Sequence, residues 1–92
     1  MTRVVNIKTD KCDIYIGRPS EFCNPFIIGR NGTREEVIAQ YKDYFYRRIE
    51  YDKLFLGRVL ALKDKILGCY CKPLACHGDI IAGFLNKGEE KW

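Results

Sequence analysis

The stretch Ile66-Leu67-Gly68-Cys69-Tyr70-Cys71-Lys72-Pro73-Leu74-Ala75-Cys76-His77-Gly78-Asp79 decides how this chain folds. It opens with a short apolar run, Ile66 to Cys71, set between the charged Lys63-Asp64-Lys65 and Pro73. That is the pattern of a strand buried on both faces. Beyond it, the pairs Ile80/Phe84 and Ile81/Leu85 stand four apart, so Asp79 to Asn86 reads as a helix with Gly88 as its stop. A buried strand that runs directly into a helix is the unit of an open α/β layer.

Working outward, Thr33-Arg34-Glu35-Glu36 is a helix start in which Thr33 and Glu36 cap each other's backbone N–H. Val37, Ile38, Tyr41, Phe45 and Ile49 then share one helical stripe. Leu56, Val59 and Leu60 suggest a shorter helix from Lys53 to Leu62, weakened by Gly57. Nearer the start, Val4-Val5-Asn6-Ile7 and Asp13-Ile14-Tyr15-Ile16-Gly17 read as strands, with Thr9-Asp10-Lys11 as a turn. Arg18-Pro19-Ser20 ends the second strand, because proline cannot continue a central ladder. Glu21 to Gly32 reads as a structured loop, with Phe26-Ile27-Ile28 its extended part. The expectation is one small α/β domain over residues 1–92, of order β-β-α-α-β-α, with two or three layers and the third strand central. It would be Rossmann-like, but too short for a full doubly wound sheet.

A chain of 92 residues leaves no room for a second core. Its 47% hydrophobic and 30% charged residues are those of an ordinary folded protein, and 13% aromatic residues argue against disorder. The five cysteines are an odd number, and no apolar targeting segment follows Met1-Thr2-Arg3-Val4-Val5-Asn6. Both facts argue against a secreted disulfide scaffold and for a reducing cytoplasm. No apolar run approaches the roughly 20 residues that cross a bilayer, so a soluble cytoplasmic protein is expected. The net charge of +4 is mild, and the charges alternate in sign. This favours a small anionic ligand over long nucleic acid.

The segment from Gly68 to Asp79 holds three of the five cysteines and the one histidine. Ligands of open α/β sheets sit beyond the carboxyl ends of strands, near helix N-termini. Three readings compete there. In the first, Cys71, Cys76, His77, Gly78 and Asp79 belong to a small-ligand pocket; Asp79 as a helix cap is the plainer role. In the second, Cys69, Cys71, Cys76 and His77 hold zinc, but adjacent Cys76-His77 suits one ion poorly, and no metal or other cofactor is expected. In the third, the chain is an enzyme, with Cys76 as a nucleophile of lowered pKa, or with His77 and Asp79 as acid/base partners.

A second constellation spans Gly17 to Phe26. Arg18, at a strand end, can fork onto phosphate or carboxylate. Ser20 and Asn24 follow it in the same loop. Asn24 before Pro25 is a turn residue whose amide could also read a base or ribose edge. Phe22 and Phe26 read as core plugs rather than stacking platforms. Arg34 opposes the helix dipole in its first turn, which suggests a task outside the helix.

Three motifs in order carry a family resemblance: Tyr15-Ile16-Gly17-Arg18 with Asn24-Pro25-Phe26, then Gly32 to Ile38, then Gly68 to Asp79. Over about Val4 to Leu85 the chain resembles a small domain-of-unknown-function family of bacteriophage and bacterial proteins. In that family a glycine commonly precedes the Asn-Pro-Phe segment, where this chain has Cys23. Cys12 lies outside all three motifs. The resemblance implies no activity to carry over, but it does suggest a phage setting. The expected function is binding of a phosphorylated nucleoside or nucleotide by Arg18, Asn24, Arg34 and the Cys76–Asp79 helix start. One concrete version is a homo-oligomeric phage protein that sequesters a host nucleotide signal. The alternatives are an enzyme of nucleotide or base modification, and a zinc-stabilised nucleic-acid or protein adaptor.

Overall fold

In the computed structural model, which describes residues 1–90, the sheet is built on the strand that the sequence marks as central. Strands β1 (Arg3–Asn6) and β2 (Ile14–Tyr15) flank β3 (Ile66–Cys69), in the order β1-β3-β2. Both flanking strands run parallel to β3, with Val4 beside Leu67 and Tyr15 beside Gly68. The helices are α1 (Arg34–Tyr51), α2 (Lys53–Leu60) and α3 (Gly78–Glu90). The chain is thus an α/β domain with the expected element order. Residues 91 and 92 of the expected domain lie outside the described residues.

The two faces of the sheet are covered differently. A strand's side chains alternate, so Leu67 and Cys69 face one way and Gly68 the other. Leu67 and Cys69 are buried with Tyr41 and Phe45 of α1 and Ile81 and Leu85 of α3. On the Gly68 side, the seven-residue connection from β1 to β2 crosses back over β3. A Cβ on Gly68 would stand 2.5 Å from both Ile7 Cγ2 and Cys12 Sγ. A residue with any side chain would lift that connection away, which is why glycine sits inside an otherwise apolar strand. Cys12, outside every motif, is therefore part of the packing.

Helix α1 begins as its sequence dictates. Thr33 Oγ1 accepts from Glu36 N–H at 3.3 Å, and Glu36 Oε1 accepts from Thr33 N–H at 2.9 Å. Val37, Tyr41, Phe45 and Ile49 are buried along one stripe, and Ile38 is half-buried beside it. Asp52 joins α1 to α2: its N–H donates to Arg48 O at 2.8 Å, and its carboxylate accepts from Phe55 N–H at 3.0 Å. Helix α2 buries Phe55 and Val59 and leaves Leu60 exposed, so Leu60 is not part of its packing stripe. Phe22 is buried against Phe55, with ring centroids 5.9 Å apart, and acts as a core plug.

Helix α3 runs through Gly88 to Glu90, so Gly88 is not its stop. A glycine inside a helix costs about 1 kcal/mol and does not by itself end one. Asn86 ties this helix to the chain start, accepting from Thr2 N–H at 2.9 Å and donating to Thr2 O at 2.8 Å. Among the described residues, no helix is long and apolar enough to cross a membrane.

Candidate functional site

The segments that follow β2 and β3 open around a cleft of about 460 Å³. It lies beyond the carboxyl ends of those strands, the usual place for a ligand on a parallel sheet. One wall is the loop from Gly17 to Ile28, a second is the first turn of α1, and the third is the segment from Cys69 to His77.

The loop is held from inside. The Arg18 Nη2 group donates to Asn24 O at 2.9 Å and to Phe26 O at 3.3 Å. Asn24 Nδ2 donates to Val37 O at 3.1 Å, and its Oδ1 accepts from Phe26 N–H at 2.9 Å. Tyr41, buried in α1, donates its hydroxyl to Phe22 O at 3.0 Å. Asn24 lines the cleft, but its amide is committed to pinning the loop on α1. Phe26 is half-buried in the same wall, edge-on to Tyr44.

The third wall is fixed at both ends. Asn6, at the end of β1, donates to Lys72 O at 2.8 Å and to Tyr70 O at 3.3 Å. Arg34 reaches across from α1 and donates to Ala75 O at 3.1 Å, the role outside its own helix that its position suggested. Arg18 and Arg34 therefore line one cleft from distant parts of the chain. Among the described residues, no carboxylate pairs with either guanidinium.

The floor is made of Cys69, Cys76 and His77, all buried. The two thiols meet at 3.3 Å. Burial, reinforced by the Cys69 thiol, pushes Cys76 up to about 12, against a smaller opposing pull from the Gly78 N–H. The sequence expectation of a lowered pKa at this position is thus reversed, because desolvation of the thiolate outweighs the helix N-terminus. His77 Nε2 lies 2.9 Å from Ile16 O, and its ring meets the Tyr41 ring edge-on at 5.1 Å. A carbonyl only accepts, so Nε2 carries the proton. Burial lowers the His77 pKa, which keeps the imidazole neutral at pH 7. A protonated thiol and a neutral, hydrogen-bonded imidazole can shape a pocket and donate weakly; the buried thiol is poorly prepared as a nucleophile.

The remaining expected residues stand elsewhere. Ser20 does not line the cleft; its hydroxyl accepts from Phe22 N–H at 3.0 Å. Gly78 is buried beneath the sheet, where a Cβ would meet Ile16 Cδ1 at 2.7 Å. Its missing side chain lets α3 approach the strands rather than a ligand. Asp79 accepts from Cys76 N–H at 3.1 Å and pairs with Lys72, so it caps the helix start. Arg18, Asn24, Arg34, Cys71, Cys76 and His77 are brought together around the cleft. Among the described residues, no group of three or more His, Cys, Asp or Glu side chains is arranged to hold a metal ion.

Sequence reasoning missed several wall residues. Tyr15 and Tyr70 meet edge-on, 6.0 Å apart, at one side of the cleft, and Ile27, Ile28 and Ile38 add apolar surface. Cys23 also lines it, half-buried. Ile27, Ile28 and Tyr70 are exposed at the rim. The sequence signal for Ile27 and Ile28 was an apolar run, Phe26-Ile27-Ile28, in a loop that had no strand to bury it.

A relative from Enterobacteria phage T4, an "uncharacterized 12.4 kDa protein in nrdA-td intergenic region", is 38% identical over 88 residues, covering 95% of this chain and 80% of that protein. No solved structure matches the chain. The family model of a domain of unknown function, DUF4326, matches residues 2–87, which takes in all three strands and the whole cleft, and the chain belongs to that family.

Proposed function

We propose that the cleft binds a small phosphorylated nucleoside or nucleotide-like ligand. The observation that carries this reading is the pair Arg18 and Arg34, two guanidiniums that line one cleft with no carboxylate paired to them among the described residues. Each spends one nitrogen on backbone carbonyls, which fixes its orientation and leaves further N–H donors for an anion. The aromatic and aliphatic walls offer contact to a flat apolar body. The position beyond parallel strand ends supports a Rossmann-like mode of binding. Five free thiols support a reducing, cytoplasmic setting. The relative from Enterobacteria phage T4 supports a phage setting, and sequestration of a host nucleotide signal is the concrete form of the proposal. The nucleophilic-thiol form of the enzyme alternative is disfavoured by the burial of Cys76.

The test is thermal unfolding with a nucleotide panel. A ligand bound only by the folded state raises Tm by mass action. Losing one charge-assisted contact costs about 1.5–3 kcal/mol, so Arg18→Ala and Arg34→Ala should each lower affinity about ten- to a hundredfold. Both variants are needed, because Arg18 also holds the loop. Ligand recovered intact after long incubation marks a binder, and altered ligand an enzyme. A panel that moves Tm at no concentration refutes the proposal.

A further inference from the structure

We infer that the cleft selects its ligand by a terminal phosphate monoester and not by the identity of the base. This rests on the nucleotide-binding reading above and narrows it.

The argument lies in which polar groups the cleft has and which it lacks. No aspartate or glutamate lines it among the described residues. A carboxylate is the usual acceptor for a ribose diol, and none is offered here. Asn24, the one side-chain amide in the walls, has one N–H on Val37 O and accepts at Oδ1 from Phe26 N–H, which fixes its orientation. One ring nitrogen of His77, Nε2, is turned to Ile16 O. The groups that normally read a base edge are thus few, and the fold engages part of Asn24 and one nitrogen of His77. What faces the ligand's body is aliphatic, aromatic and thiol surface. Apolar walls discriminate weakly between similar shapes, whereas sites built to hydrogen-bond a group reject analogues strongly.

The charge is the opposite case. Two guanidiniums stand in the cleft without a counter-charge among the described residues. A phosphate monoester carries about −1.5 to −2 at pH 7, with three terminal oxygens for two forks. A diester carries a single charge and presents two such oxygens. Charge and oxygen count are therefore what the site can measure.

Calorimetry at pH 7.5 on the full chain distinguishes the possibilities. The probes are the four ribonucleoside 5′-monophosphates, the four nucleosides, and a dinucleoside monophosphate as the diester. The four monophosphates should bind within about tenfold of one another, and the nucleosides and the diester at least about tenfold more weakly than the weakest monophosphate. Arg34→Ala should shrink the gap between monoester and diester. Arg34→Lys, which keeps the charge and loses the fork, should restore part of it. One base preferred by more than about a hundredfold, or a diester as tight as the monoester, overturns the inference while leaving nucleotide binding intact. No binding by any phosphorylated probe overturns both.

Discussion

Cys76 should be among the slowest thiols of this protein to alkylate, although it precedes a helix N-terminus and a histidine. The thiolate is the reacting species, so the rate follows its fraction. An unperturbed thiol near 8.5 is about one-tenth ionised at pH 7.5. With Cys76 pushed up to about 12 by burial and by the Cys69 thiol, its thiolate fraction falls on the order of a thousandfold. Access compounds the effect, since both Cys69 and Cys76 are 2% exposed. The assay is iodoacetamide labelling at pH 7.5, read residue by residue by mass spectrometry, with the same chain in denaturant as reference. Cys76 should label at least about a thousandfold below that reference, and no faster than the equally buried Cys69. Cys76 labelling ahead of Cys69, at within tenfold of the reference, would refute the burial argument and restore Cys76 as a nucleophile.

Burial of neutral His77 predicts a pH dependence. Its folded-state pKa lies below the unfolded value of about 6.5, so the unfolded chain binds more protons between the two. Stability should therefore fall as pH drops below about 6.5, and His77→Gln should flatten that slope; an unchanged slope would show that another group titrates. Gly68→Ala should destabilise by about 1–3 kcal/mol in urea unfolding, because the new methyl meets Ile7 and Cys12 at 2.5 Å. Gly78→Ala should cost a similar amount through Ile16 and Val4, and wild-type stability in either variant would mean that the connection or helix yields freely. Asn6→Ala removes the donors that hold Lys72 O and Tyr70 O, so stability should fall by about 1–3 kcal/mol and Cys71 should label faster; unchanged Cys71 labelling would show that the wall stands without Asn6.

Local chemistry was legible in the sequence wherever a few neighbouring residues determine it. The Thr33–Glu36 capping box, the Val37-Tyr41-Phe45-Ile49 stripe and the apolar run of β3 each depend on spacing along the chain, and each took its expected form. The pairing of Arg18 with Arg34 at one cleft was partly legible, because a cation at a helix start already looked misplaced. What only the tertiary structure decided is which groups are free. Asn24, Ser20, Gly78 and Asp79 have the chemistry of ligand-binding residues, yet their partners are Val37, Phe22, Ile16 and Lys72. The direction of the Cys76 shift was likewise undecided, since a helix N-terminus and burial act in opposite senses on a thiol. Residue type sets what a group can do; the desolvation and the hydrogen-bond partners that long-range packing imposes set what it does.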